Sequence, residues 1–194
     1  MDNTSGKQLN RYVLILAIFL LFYLPGVSHA QQIEKDTLWS SSSQMTYLMS
    51  RKYGVEKNVV TILGKMLEND DDVSVCLYLY TKSSIHPQDI MGLKRKGMAW
   101  KQIMKSLKFD ADKLFTEAGI YEIFGVPQKF KHSYGELKKW QKDPSHEMNL
   151  TDDDVRDLVQ LGFLVRNSGI PPINIMRERN AGASWTNMIL NRVK

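Results

Sequence analysis

The side chains best suited to chemistry in this sequence are one cysteine and the three histidines that follow residue 30, since the fourth, His29, lies in a predicted leader, and they lie far apart. His86, His132 and His146 share no metal-ligand spacing with one another or with Cys76, whereas zinc sites use such residues at short, regular spacings. The chain also lacks a phosphate-binding glycine loop, a nucleophile elbow and an HExxH motif. We therefore predict no catalytic residue, no metal and no cofactor. An enzyme whose site forms only in the tertiary structure stays an alternative.

Two runs of carboxylates, Asp70–Asp72 and Asp152–Asp154, could be considered as cation sites. A calcium loop needs spaced ligands, a glycine for the turn and a closing glutamate, and neither run provides them. Carboxylates in the first turn of a helix interact favourably with the helix dipole. Both runs are therefore predicted to cap helices.

A stretch dense in aromatic and basic residues, 120–140, suggests binding instead of catalysis. A packed connecting loop is the favoured explanation of this composition. The functional alternative is that Lys129, Lys131, His132 and Tyr134 form a surface for an anionic or sugar-like partner. Other basic residues follow an Ile-Met pair at two places in the chain, where solvated helix ends are the alternative explanation. The predicted contact surface comprises Lys94, Arg95, Lys131, Tyr134, Arg177 and Arg179.

These positions belong to a repeat. The stretch Ser83–Trp100 recurs as Ser168–Trp185, displaced by 85 positions without a gap and with seven identities in eighteen positions. Ordinary residue frequencies would produce about one identity. The repeat therefore predicts two copies of one supersecondary unit. The identical pairs are Ser83/Ser168, Ile85/Ile170, Pro87/Pro172, Ile90/Ile175, Met91/Met176, Gly97/Gly182 and Trp100/Trp185.

Each copy carries the signals of short helices joined by a tight glycine turn. A proline suits the first turn of one helix, and Gly97 or Gly182 suits the left-handed position that ends it. Trp100 or Trp185 then begins the next helix, in which apolar residues recur at spacings of three and four. We predict that these two tryptophans and two glycines are structural, and that each tryptophan locks two helices together.

A further helix precedes each copy. Asp70–Asp72 match Asp152–Asp154 at a shift of 82, so the second of these helices is predicted to be three residues longer. The predicted fold is all-α, with two related three-helix units, each containing helical hairpins with tight glycine turns. The units are expected at about 70–109 and about 151–194, joined by an aromatic-rich linker at about 110–150, all within a single domain over 31–194.

Residues 1–30 have the pattern of a secretory signal peptide. Lys7 and Arg11 precede an apolar run of thirteen residues, Tyr12–Leu24, and small residues precede a cleavage position after Ala30. A membrane-spanning helix needs roughly 20 residues, and a short uncleaved anchor is the alternative. Loss of the leader would lower the net charge from +5 to +4, a mild excess that indicates solubility more than a polyanionic partner.

A helix-turn-helix is a further alternative, because Ile90–Leu114 has the spacing of that motif. Residues 100–107 would form its first helix and residues 112–119 its recognition helix. Acidic residues outnumber the single lysine of that second helix, whereas phosphate contacts need lysine and arginine. Export would also separate the protein from nucleic acid, which is therefore not an expected partner.

The paired IMxxxxxGxxW units, Tyr134-Gly135 in the aromatic linker and the lead helix LTDDDVRDLVQLGFL resemble a group of exported bacterial helical-repeat proteins of unknown function. The resemblance covers the chain from about Asp70 to its end. It implies the fold and the compartment and carries no activity. This chain departs from the group at Ala99, where serine is the more usual cap, which implies a looser turn.

Together these patterns predict an exported, non-catalytic helical protein, periplasmic or secreted. Its expected partner is another envelope protein or an envelope polymer. Membrane contact is expected only through the leader, if the leader is not cleaved.

Overall fold

Helices form all the regular secondary structure in the part of the chain that the structure describes. The computed structural model describes residues 43–67 and 69–193, and no strand occurs among them. The predicted all-α class is therefore confirmed. The predicted leader, residues 1–30, lies outside the described residues.

The helices follow one another with short connections, and residues Gln44–Lys194 form one compact unit. Among the described helices, none has both the length and the apolar content needed to cross a membrane. In chain order the elements are α1 (43–53), α2 (Lys57–Met66), α3 (Asp70–Ser83), α4 (Pro87–Arg95), α5 (Trp100–Ser106), α6 (Asp112–Ala118), a 3-10 helix (Gln128–Phe130), α7 (Lys131–Lys142), α8 (Asp152–Ser168), α9 (Pro172–Asn180) and α10 (Trp185–Arg192).

Local capping chemistry explains where α3 and α8 begin. The Asn69 side chain accepts a hydrogen bond from the N–H of Asp71 at 2.9 Å. Thr151 and Asp154 form a reciprocal capping box, in which each side chain accepts from the other's backbone N–H. The helices have 14 and 17 residues, which is the difference of three that the sequence predicted.

Gly97 and Gly182 form the turns after α4 and α9. Their φ angles are +84° and +99°, in the left-handed region that strains residues with a side chain. The N–H of Gly97 donates to Lys94 O at 2.9 Å, and the N–H of Gly182 donates to Arg179 O at 3.1 Å. These turns direct the chain straight into the tryptophan-bearing helices α5 and α10.

Helix α8 is the centre of the fold. It packs against α3, α5, α6, α9 and α10, and buried residues occur on several of its faces, as a helix surrounded by others requires. At Gly162 the crossing with α6 is close, since a Cβ there would lie 3.4 Å from the carbonyl carbon of Glu117. Elements before and after the linker region therefore share one core.

The predicted connecting loop at 120–140 is partly helical. The 3-10 helix leads directly into α7, and Phe130, Ser133 and Leu137 are buried at helical spacings of three and four. That spacing is present in the sequence, but the glycines, prolines and lysines around it favoured a loop. The stretch that stays irregular is 119–127.

Candidate functional site

Trp100 begins α5 and is completely buried. Its indole Nε1 donates to Asp72 Oδ1 at 2.6 Å. Arg156 of α8 contacts the same carboxylate twice, with Nε 2.6 Å from Oδ1 and Nη2 3.1 Å from Oδ2. Hydrogen bonding to Asp72 is the main cause of the raised pKa of Arg156. These partners allow a carboxylate to be buried that would otherwise be strongly destabilising.

Trp185 begins α10 and has a corresponding environment. Its indole Nε1 donates to Asp157 Oδ1 at 2.7 Å. The charge of Asp157 is balanced by Arg179, with Nε 3.3 Å from Oδ1, and by Lys129, with Nζ 3.3 Å from Oδ2. The guanidinium of Arg179 also lies 5.2 Å from the centre of the indole ring, a cation–π distance.

In both places the tryptophan binds an aspartate 28 positions before it in the chain. Asp72 lies in the first turn of α3, as predicted for the acidic runs, and its carboxylate also binds Trp100 and Arg156, a role that was not predicted. The sequence did contain a signal for this pairing. Asp157 follows Asp72 by 85 positions, which is also the distance from Trp100 to Trp185. The match between Asp72 and Asp157 was missed because the acidic runs were aligned at a shift of 82, which pairs Asp72 with Asp154.

The turn at Ala99 obtains its cap from another helix. Asp152, the first residue of α8, accepts from the backbone N–H of Trp100 at 2.7 Å, and its other oxygen pairs with Lys94. At the corresponding turn before α10, the Ser184 hydroxyl accepts from the N–H of Asn187 at 3.2 Å. The acceptor that alanine lacks is thus provided by α8.

The six predicted contact residues have different environments. Lys94 and Arg179 were expected to be exposed, and this expectation is wrong because their side chains, 16% and 22% exposed, lie against the tryptophans in ion pairs. Arg95 and Arg177 are exposed, near the ends of α4 and α9. A contact of either arginine with a partner stays a prediction.

Lys131 and Tyr134 line an open cleft of about 740 Å³ between α7 and the irregular stretch that precedes it. We call it the aromatic cleft. Its volume lies within the range of about 300–1,000 Å³ that ligand sites occupy. The lining residues are Glu122, Ile123, Phe124, Gly125, Val126, Lys131, Tyr134 and Lys138.

Phe124 is the most exposed large apolar side chain in the described residues. It is 96% exposed, while Tyr47, the next, is 48% exposed. The backbone around Phe124 is held in place, because the N–H of Ile123 donates to the Tyr134 hydroxyl at 3.3 Å and Lys138 Nζ donates to Tyr121 O at 3.4 Å. Phe124 was not among the predicted contact residues, because exposure is a property of the fold.

Lys131, Lys138 and Lys142 follow one face of α7, at spacings of seven and four residues. We call them the lysine stripe. Within the described residues none of the three is paired with a carboxylate, and Lys138 lies over the ring of Tyr134 at 5.1 Å. By contrast, seven other lysines in the described residues have carboxylate partners: Lys82, Lys94, Lys101, Lys105, Lys113, Lys129 and Lys139.

A second groove, of about 440 Å³, lies between α5 and the segment after α7. Met104, Met148 and Leu150 give it an apolar floor, and Glu147 at its rim is paired with Lys101 and Lys105. Its charged groups are thus of both signs and its two lysines are already paired with Glu147, which gives less basis for selecting a charged ligand than the aromatic cleft provides.

The histidines beside α7 are bound to structural carboxylates. His132 Nδ1 lies 2.7 Å from the Asp154 carboxylate of the α8 capping box, and His146 Nε2 lies 3.1 Å from Glu136. The pKa of Glu136 is lowered to about 2, chiefly by the hydrogen bond from Lys139 and then by that from the N–H of Asn149. In the residues that the structure describes, no group of three or more His, Cys, Asp or Glu side chains could hold a metal ion.

Helix α6 is the recognition helix of the alternative helix-turn-helix prediction. It buries Leu114, Phe115 and Ala118 against α8, and its single lysine, Lys113, pairs with Asp110 at 3.3 Å. The exposed side of α6 therefore offers little unpaired positive charge to a phosphate backbone.

Comparison of the chain with protein families, with curated proteins and with solved structures finds no match.

Proposed function

We propose that this chain is an exported, non-catalytic helical protein that binds a component of the cell envelope through the aromatic cleft. The observation that carries the proposal is the nearly complete exposure of Phe124 on a held loop beside the lysine stripe. Because the backbone that carries Phe124 is already held, little backbone entropy is lost on binding, so more of the burial energy of the ring becomes affinity. The partner expected from the sequence, an envelope protein or polymer, would need anionic groups to face the lysines.

Phe124 can make a substantial contribution to such a contact. Burial of an exposed phenylalanine is worth roughly 1.5–3 kcal/mol, which is equivalent to a change in affinity of at least about tenfold. The lysine stripe adds charge that no carboxylate of the described residues neutralises. The catalytic alternative has no comparable support, since the histidines around α7 are bound to structural carboxylates.

The proposal also covers the internal duplication of the chain. We infer that residues of about 70–109 and 151–194 are two related three-helix units on either side of the aromatic linker. Support comes from hydrogen bonds that recur with the displacement of 85. Ser83 Oγ donates to Leu79 O and Ser168 Oγ donates to Leu164 O, both at 2.7 Å. The tryptophan–aspartate bonds recur in the same way.

Export is tested by the N-terminus of the protein recovered from cells that express the full chain. Cleavage after Ala30 would leave Gln31 as the first residue, which intact mass measurement detects directly. A protein retained with its complete leader would contradict cleavage and support the short anchor.

Binding is tested by sedimentation of the exported protein with envelope particles from its own cells. We expect Phe124→Ala to reduce the bound fraction at least tenfold, with Ile62→Ala as the matched control because Ile62 is also exposed (40%) but lies on α2. Equal loss in both variants, or no loss in either, would contradict a role for the aromatic cleft.

A further inference from the structure

We propose that the envelope component bound by the aromatic cleft is the surface of an anionic lipid bilayer. Phe124 enters the boundary between headgroups and acyl chains, and the lysine stripe contacts the headgroup phosphates. This inference rests on the proposed function and names its partner. It also departs from the sequence-based expectation that membrane contact would involve only the leader.

The isolation of Phe124 favours a bilayer over a protein surface. A specific protein interface has an extended apolar core, whereas the other exposed large apolar residues are Tyr47, Ile62, Met66 and Ile85, which belong to α1, α2 and the turn before α4. Binding to a membrane interface needs no extended apolar face, because an apolar side chain buried at the headgroup boundary and lysines on the anionic headgroups act together. Ile123 and Val126, on either side of Phe124 in the chain, are half-buried and pack against the core.

The polar groups of the cleft favour a bilayer over a sugar polymer. Recognition of a sugar requires several convergent hydrogen-bonding groups. Tyr134 already uses its hydroxyl to accept from the N–H of Ile123, and Lys138 donates to Tyr121 O and Gln141 Oε1. The one carboxylate in the lining is Glu122. What stays available is positive charge, which suits phosphate.

The lysine stripe is a local concentration of positive charge on α7, which the modest net charge of the whole chain does not reveal. Lys131 and Lys142 are exposed and Lys138 is half-buried, and none of them is neutralised by a carboxylate in the described structure. On an adjoining face of α7, Lys139 is by contrast paired with Glu136 at 2.6 Å. Each lysine near an anionic membrane surface strengthens binding by about fivefold, and salt weakens this effect.

The test is co-sedimentation of the exported protein with two kinds of vesicle, one of equal parts phosphatidylglycerol and phosphatidylcholine and one of phosphatidylcholine alone. We expect binding to the anionic vesicles at low salt and little binding to the neutral ones. Phe124→Ala should lower the partition coefficient at least tenfold, and Lys131→Ala and Lys142→Ala by about fivefold each.

Lys105→Ala is the matched control for charge, because Lys105 is 72% exposed but pairs with Glu147 away from the cleft. We expect it to change the partition coefficient less than twofold, roughly the scatter of such measurements. Circular dichroism and thermal unfolding of every variant show whether it is folded, so that a loss of binding can be assigned to the surface.

The outcomes separate this inference from the proposed function. If anionic vesicles do not bind, while sedimentation with envelope particles still depends on Phe124, the partner is a protein or polymer and the bilayer is excluded. If the vesicles bind but Phe124→Ala has no effect, the contact is unspecific electrostatics and the inference is also overturned. If neither vesicles nor envelope particles depend on Phe124, both proposals are wrong.

Discussion

Trp100 and Trp185 each donate an equivalent hydrogen bond to an aspartate, but different residues neutralise the two aspartates. Both indoles donate to an aspartate 28 positions earlier. The Trp100 aspartate is neutralised by Arg156, which lies 84 positions away on α8. The Trp185 aspartate is neutralised by Arg179, from the helix just before Trp185, and by Lys129.

The same difference recurs at the helix starts. Helix α10 is capped by its own Ser184, whereas α5 depends on Asp152 of α8. Helix α8 thus provides the acceptor Asp157 to Trp185, whereas it provides both a counter-charge and a cap, Arg156 and Asp152, to the Trp100 region. Loss of Arg156 or Asp152 should therefore affect the Trp100 region more than the Trp185 region.

The largest effect should come from removal of either ring. We expect Trp100→Ala and Trp185→Ala each to lower the free energy of unfolding by about 3–5 kcal/mol, because each leaves a large cavity and an aspartate without its indole donor. Chemical denaturation measures this change. Trp100→Phe and Trp185→Phe serve as controls that retain most of the apolar volume, and a thermal shift near zero for both alanine variants would reject the structural role.

The next effect distinguishes the two arginines. Arg156→Gln should cost about 1.5–3 kcal/mol, because it removes charged hydrogen bonds to the buried Asp72. Arg179→Gln should cost less, because Lys129 still neutralises Asp157. Urea denaturation of both variants tests the order, and an equal or larger cost for Arg179→Gln would contradict the dependence of the Trp100 region on α8.

A smaller effect concerns the start of α5. Asp152→Ala should cost about 1–2 kcal/mol, since it removes the cap of Trp100 and the partner of Lys94. Adding Ala99→Ser should restore part of the loss, because a serine can accept locally as Ser184 does. Thermal unfolding of the two single variants and the double variant measures the coupling, and strict additivity would argue against a shared capping role.

The smallest effect concerns the dependence of stability on acid pH, which we expect from Glu136, a residue outside both tryptophan environments. Glu136 has a pKa lowered from its usual 4.5 to about 2, so its stabilising contribution is complete above about pH 4.5 and is lost as the pH falls towards 2. In Glu136→Gln this part of the pH dependence should disappear. Unfolding free energies measured between pH 5 and pH 2 test it, and parallel curves for the two proteins would contradict it.

Much of the helical architecture could be predicted because its signals are local. Thr151 caps α8 through a residue three positions away, and Gly97 and Gly182 adopt a backbone angle that their missing side chains permit. The repeat also directed attention to Trp100 and Trp185. The position of α7 was missed, since its buried spacing of Phe130, Ser133 and Leu137 lies among residues that commonly form loops.

The candidate site was predictable only in part. Lys131 and Tyr134 were identified from composition, and they do line the aromatic cleft. Phe124 was not, because a phenylalanine in an aromatic stretch is normally expected in the core. Lys94 and Arg179 were expected at the surface, as lysine and arginine usually are, yet they pack against the indoles.

By itself, the amino-acid sequence determined that this protein would be helical and where most of its tight turns would fall, because propensities, caps and glycine angles depend on neighbours within a few positions. Only the tertiary structure decided that Arg156 neutralises Asp72 across 84 positions. It likewise decided that Phe124 projects outward while neighbouring Phe130 is buried. Such contacts depend on how distant segments pack together, and no local pattern specifies that packing.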